Sequence, residues 1–98
     1  MKRTKIKAVL DMAASPGEVF VQGWVRTKRD AKDFSFIELN DGSCLANIQV
    51  IAENGLAEYH QVEKLTTGSA TGVTGHLVAS PGKNQKWEIQ ATAIDVIS

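Results

Sequence analysis

The chain has 98 residues, 43% of them hydrophobic and 22% charged, the profile of one soluble globular domain rather than a disordered tail or a fibre. A chain this short leaves no room for two independent domains or for a large enzyme with a deep cofactor cleft. The 11 Lys/Arg balance the 11 Asp/Glu, and apolar runs such as Val50-Ile51-Ala52 are far shorter than the roughly 18 residues of a membrane-spanning helix.

The first 17 residues predict a short, weakly helical lead with Ile6, Val9 and Leu10 as its apolar positions, closed by the turn Ala13-Ala14-Ser15-Pro16-Gly17 and packed against the body. From Glu18 the period changes to two. Val19, Val21, Gly23 and Val25 alternate with Phe20, Gln22, Trp24 and Arg26, which predicts a first strand. The basic connector Thr27 to Asp33 has no apolar residue larger than alanine and reads as an exposed loop. Phe34 to Asn40 is the second strand, Asn40-Asp41-Gly42-Ser43 a hairpin turn, and Leu45 to Ile51 the returning third strand. Leu56, Tyr59, Val62 and Leu65, three apart, predict a short amphipathic helix. Ala70 to Ala79 is a fourth strand in which Gly72 and Gly75 allow a strong bend. Ser80 to Asn84 makes a turn, and Lys86 to Ile97 is the fifth strand. One short helix between the third and fourth of five strands is the organisation of an all-β, Greek-key OB-fold barrel. Residues 1–17 are then a lead and 18–98 the barrel.

Alternation in the central hairpin separates two sets. Ile37 and Leu39, with Ala46, Ile48 and Val50, form the interior; Phe34, Phe36 and Glu38, with Asn47 and Gln49, face outward, because a slip of one residue would bury the polar groups unpaired. Either the lead or an edge loop covers the two phenylalanines, or they form a stacking platform for an unpaired base. Charge adds a gradient: residues 1–32 carry eight Lys/Arg against three carboxylates, whereas residues 33–64 carry Lys64 against six. This suggests a basic face for polyanions with the acidic stretch turned elsewhere.

Signals for catalysis are thin. His60 and His76 have no Cys/His partner at metal-ligand spacing, so no metal site is expected. Cys44 has no histidine near it and reads as a structural thiol, and Gly82-Lys83-Asn84 lacks the hydroxyl residue and the helix of a phosphate loop. The lone cysteine, and the lack of an apolar segment or cleavage site after the basic start Met1 to Lys7, point to a cytoplasmic protein.

The chain resembles the amino-terminal anticodon-binding OB domain of the class II synthetases for aspartate, asparagine and lysine. Two stretches carry the resemblance, Gly23-Trp24-Val25-Arg26-Thr27-Lys28-Arg29-Asp30 and Phe34-Ser35-Phe36-Ile37-Glu38-Leu39-Asn40-Asp41-Gly42-Ser43. Leu65-Thr66-Thr67-Gly68, Val73-Thr74-Gly75 and Val78-Ala79-Ser80-Pro81-Gly82 leading to Glu88-Ile89-Gln90-Ala91 are most similar to the asparagine branch. The resemblance implies that Phe36 stacks on the central anticodon uridine, that Arg29 and Gln49 meet its polar edge, and that Glu88 lies near another anticodon base. It further implies phosphate contacts for Arg26, Lys28 and Lys32, and the tRNA(Asn) anticodon stem-loop as partner. By the same resemblance, aminoacylation, its ATP and magnesium, and the homodimer interface belong to a catalytic domain absent from this chain, which is then no enzyme alone and needs no cofactor. The segment Ser69-Ala70-Thr71-Gly72 departs from the β-branched pattern of that family, so looser pairing is expected there. Two other readings stay open: a free-standing single-strand nucleic-acid binder and a protein-interaction module.

Overall fold

A computed structural model of the chain describes residues 2–57, 59–81 and 86–97. Five strands close into a barrel in the order β1-β2-β3-β5-β4. They are β1 (Glu18–Asp30), β2 (Phe34–Asn40), β3 (Ile48–Glu53), β4 (Ala70–Ala79) and β5 (Trp87–Val96), with helices α1 (Ile6–Leu10) and α2 (Tyr59–Lys64). β3 and β5 pair in parallel, and every other neighbouring pair is antiparallel. The fold is the expected OB barrel with its helix between β3 and β4. Along the strands the alternating aliphatic residues point in: Val19, Val21, Val25, Ile37, Leu39, Ile48, Val50, Val73, Leu77, Ile89 and Ile94 are buried. Val62 and Leu65 add α2 to this core, and Ile6 and Val9 add the lead, as their spacing predicts.

The edges of the elements differ from the sequence reading in four places. The connector Thr27 to Asp33 is not all loop: Thr27–Asp30 extend β1 and pair with Glu38, Ile37, Phe36 and Ser35 of β2. No apolar periodicity marks them because they reach past β4, whose pairing with β1 ends at Trp24, and the residues opposite buried Ile37 and Ser35 are the polar Lys28 and Asp30. Arg26 is the extra residue of a bulge between Val25 and Thr27.

The third strand begins at Ile48 rather than Leu45. Asn40 holds the 41–47 loop from within, its amide nitrogen donating to the carbonyls of Cys44 and Ala46 and to Asn47 Oδ1, its oxygen accepting from Gly42 N–H. These local bonds replace the ladder, and Gly42 takes φ 82°, which favours glycine. Ala46 is therefore exposed instead of interior, and Leu45 stands wholly in solvent. The helix is also shorter than the spacing of apolar residues suggested, with Leu56 and Leu65 packing from its flanks; Glu58, within that predicted helix, and Gly82 to Asn84 of the predicted turn lie outside the described residues. The start of β4 is not loosely paired. Thr71 is 0% exposed, pairs with both Gly23 and Val96, and donates its hydroxyl to the Asp95 carbonyl at 2.6 Å.

The lead is fastened by the same 41–47 loop. Asp41 accepts the Ile6 N–H at 2.9 Å and Ser43 Oγ the Lys7 N–H at 3.0 Å, so α1 is capped from 35 residues away. Burial works to raise the Asp41 carboxyl, but hydrogen bonds from the Ser43 hydroxyl and the Ile6 and Ser43 N–H groups outweigh it and hold the carboxyl below its ordinary 3.8. A depressed carboxyl stabilises the fold fully above the unfolded value and loses that contribution as pH falls through the folded one. Acid titration below about pH 4 therefore releases the lead before the barrel. Trp87, whose indole N–H donates to the Met12 carbonyl at 3.0 Å, reports it by fluorescence. Asp41→Ala costs about 1 kcal/mol at neutral pH and removes this acid step; an unchanged acid profile in the variant would refute the assignment.

Candidate nucleic-acid interface

β2 and β3 place the outward set on one face, and the register arranges it in two rows. Thr27, Glu38, Gln49 and Glu88 are successive partners across β1, β2, β3 and β5, and one step along lie Arg29, Phe36, Ile51 and Gln90. Phe34 and Phe36 are half-buried, and their rings meet edge to face at 4.9 Å. The Arg29 guanidinium lies over the Phe36 ring, 4.8 Å from its centroid. The pairing of Arg29 with Phe36 brings these two together, and a one-residue shift in the β1 tip would send Arg29 to the other side.

The polar row is internally oriented. Thr27 Oγ1 and Asn47 Nδ2 donate to the two oxygens of Glu38 at 3.2 and 3.3 Å. Gln49 Nε2 donates to Glu88 Oε2 at 3.2 Å. This bond turns the nitrogen end of the Gln49 amide toward Glu88. Glu88 is 5% exposed, so it acts on the face through Gln49.

The three remaining predicted cations are not gathered there. Arg26, at the bulge, borders a cleft of about 380 Å³ with Asn40, Leu45 and Asn47. Lys28 pairs with buried Ile37, on the side of β1 opposite Arg29, and its ammonium lies 3.7 Å from Asp30. Lys32 stands exposed in the β1–β2 loop. Nor is the acidic stretch turned elsewhere, since Glu38 and Glu53 share the face with the phenylalanines. Reading charge by chain segment missed this because neighbouring strands interleave distant segments. The sequence reading also missed Thr27 and Asn47 as holders of Glu38, contacts that depend on register across the strands. A second cleft, of about 180 Å³, opens beyond Ile51 between Gln90 and His76. Among the described residues no group of three or more His, Cys, Asp or Glu could hold a metal ion, and no helix is long and apolar enough to cross a membrane.

An open aromatic and amide face on a five-stranded barrel is a nucleic-acid-binding arrangement, and residues 19–97 match the tRNA anti-codon family, described as an OB-fold nucleic acid binding domain. The chain belongs to this family. Over 97 residues the OB domain is 50% identical to an asparagine–tRNA ligase of Oleidesulfovibrio alaskensis, a match covering 99% of this chain and 21% of the relative. A crystal structure of asparaginyl-tRNA synthetase from Pyrococcus horikoshii superposes with a TM-score of 0.83 at 18% identity, covering 98% of this chain and 23% of that one. An OBody, AM3L09, solved bound to hen egg-white lysozyme, matches at a TM-score of 0.83 and 20% identity, over 99% of this chain and 96% of that one. The structural likenesses show the fold. The OB domain spans about a fifth of the length of the asparagine–tRNA ligases it matches.

Proposed function

We propose that the OB domain is the anticodon-recognition module of an asparagine–tRNA ligase acting in the cytoplasm, its partner the tRNA(Asn) anticodon stem-loop. The half-buried Phe36 ring with Arg29 over it and Gln49 on the same face carries this reading. A base entering the face replaces the guanidinium on the ring, and Arg29 turns to the base edge. Uracil offers one N–H donor between two carbonyl acceptors. Gln49 Oε1, oriented by Glu88, accepts the N–H, and Arg29 donates to a carbonyl, so the central uridine is complemented and an adenine is not. Arg26 and Lys32 flank the face as phosphate contacts, while Lys28, engaged with Asp30, contributes less. Binding needs no cofactor. Aminoacylation, with its ATP and magnesium, and dimerisation belong to the remainder of a longer ligase.

The test is a fluorescence titration of the OB domain with stem-loops bearing GUU or GAU, repeated across salt concentrations. GUU binds more tightly by about 1–3 kcal/mol, and log affinity falls linearly with log salt. Equal binding of both loops and of a linear strand would establish a general single-strand binder instead. Absence of binding at low salt would direct the search to a protein partner.

A further inference from the structure

The tip of β1 that carries Arg29 has little to hold it. Thr27–Asp30 pair with β2 on one side and, past Trp24, with no strand on the other, so the tip is an unpartnered edge whose backbone has one ladder instead of two. Behind the face, however, Ser35 is 0% exposed and its hydroxyl donates to Asp30 Oδ1 at 2.6 Å. Tyr59 OH lies 2.8 Å from the same hydroxyl oxygen. One hydroxyl has one proton, so with Ser35 donating to Asp30 the tyrosine donates to Ser35. The result is a directed chain, Tyr59 to Ser35 to Asp30, ending on a carboxylate that the Lys28 ammonium also approaches.

We propose that Tyr59 and Ser35 are positioning residues for base recognition: α2 clamps the last residue of β1 from behind and thereby sets Arg29 over Phe36 on the front. Asp30 pairs with Ser35 and Arg29 with Phe36, so adjacent residues of one strand serve the two sides. Fixing Asp30 fixes the register and the twist of Arg29. The clamp joins groups 24 residues apart and touches no ligand itself. This inference rests on the reading of Phe36 and Arg29 as the base site for its effect on binding, but not for its effect on Arg29.

Two readouts separate these. In the free domain, NMR detects the upfield ring-current shift of the Arg29 side-chain protons under Phe36. Tyr59→Phe and Ser35→Ala move those resonances toward their random-coil positions, while a control on the same helix, His60→Ala, leaves them in place. Unchanged Arg29 resonances in both variants overturn the proposal whatever RNA does. In the titration, both variants lose roughly threefold to tenfold in preference for GUU over GAU at a temperature where each is folded by circular dichroism, with the salt slope unchanged. An equal loss for both loops would mark Tyr59 and Ser35 as merely structural and also overturns it. Failure of the unsubstituted domain to discriminate GUU from GAU counts against the anticodon reading, and the NMR result then decides the clamp alone.

Discussion

Phe36→Ala lowers the affinity of the OB domain for a GUU stem-loop by about 1–3 kcal/mol, the range for loss of one stacked base, and removes most of the preference for uridine at the central position. The ring has two jobs in the proposed site. It provides the face on which the base stacks, and through the Arg29 guanidinium 4.8 Å from its centroid it keeps the edge-reading group parked within reach. Alanine ends both, which is why discrimination falls together with affinity. The salt slope stays as it was, because no phosphate contact is touched, whereas Lys32→Ala reduces that slope by about one unit and weakens all RNAs alike. Phe36 is only half-buried, so the variant folds. The titration that checks this uses Trp24, 53% exposed, with buried Trp87 as the internal reference. Full retention of GUU affinity and preference would remove Phe36, and with it the proposed site, from consideration.

Gly75→Ala has the largest expected effect on stability. An added Cβ would stand 2.3 Å from the Gln90 carbonyl oxygen, 2.8 Å from Ile89 Cγ2 and 2.9 Å from Ala91 Cα. Two of these three atoms are backbone of β5, and the pairing of β4 with β5 shifts register between Thr74 and Gly75. Relief requires prying β5 from β4 where Ile89 is wholly buried, so no side-chain rotation absorbs the clash. Overpacking of this kind costs on the order of 3 kcal/mol, which in a domain of this size lowers Tm by roughly 10–25 °C. Gly55→Ala is the matched control, since a Cβ there meets nothing within 4 Å and changes stability by less than about 0.5 kcal/mol. Urea denaturation of both variants measures the difference. Equal midpoints would show that β5 yields more easily than the packing indicates.

The architecture was legible from the chain because it is written in local patterns. Alternation of period two located β1, β2, β3 and β5, glycines between apolar residues marked β4, the 56–65 spacing located α2, and the number and order of elements implied the barrel. The same alternation put Phe34, Phe36 and Gln49 on one face before any coordinate, because a slipped register would bury Glu38 and Asn47 without partners. The boundaries that failed share a cause. At Thr27–Asp30 the strand continues with polar Lys28 and Asp30 opposite buried Ile37 and Ser35, and at 41–47 the loop replaces an expected strand because one side chain, Asn40, captures the backbone. Neither event alters hydrophobic periodicity.

The chain by itself thus determined the fold, the inward and outward sets and, through resemblance to a family, the residues to watch. Tertiary structure alone decided how those residues are used: that Arg29 rests on Phe36, that buried Glu88 turns the Gln49 amide, that Lys28 faces away, and that Tyr59 reaches Ser35 behind the face. The physical reason is range. Burial preference is a property of each residue and its near neighbours and survives in the order of the letters, whereas hydrogen-bond partners such as Gln49 and Glu88, 39 residues apart, meet only once the barrel closes and sets the register between strands.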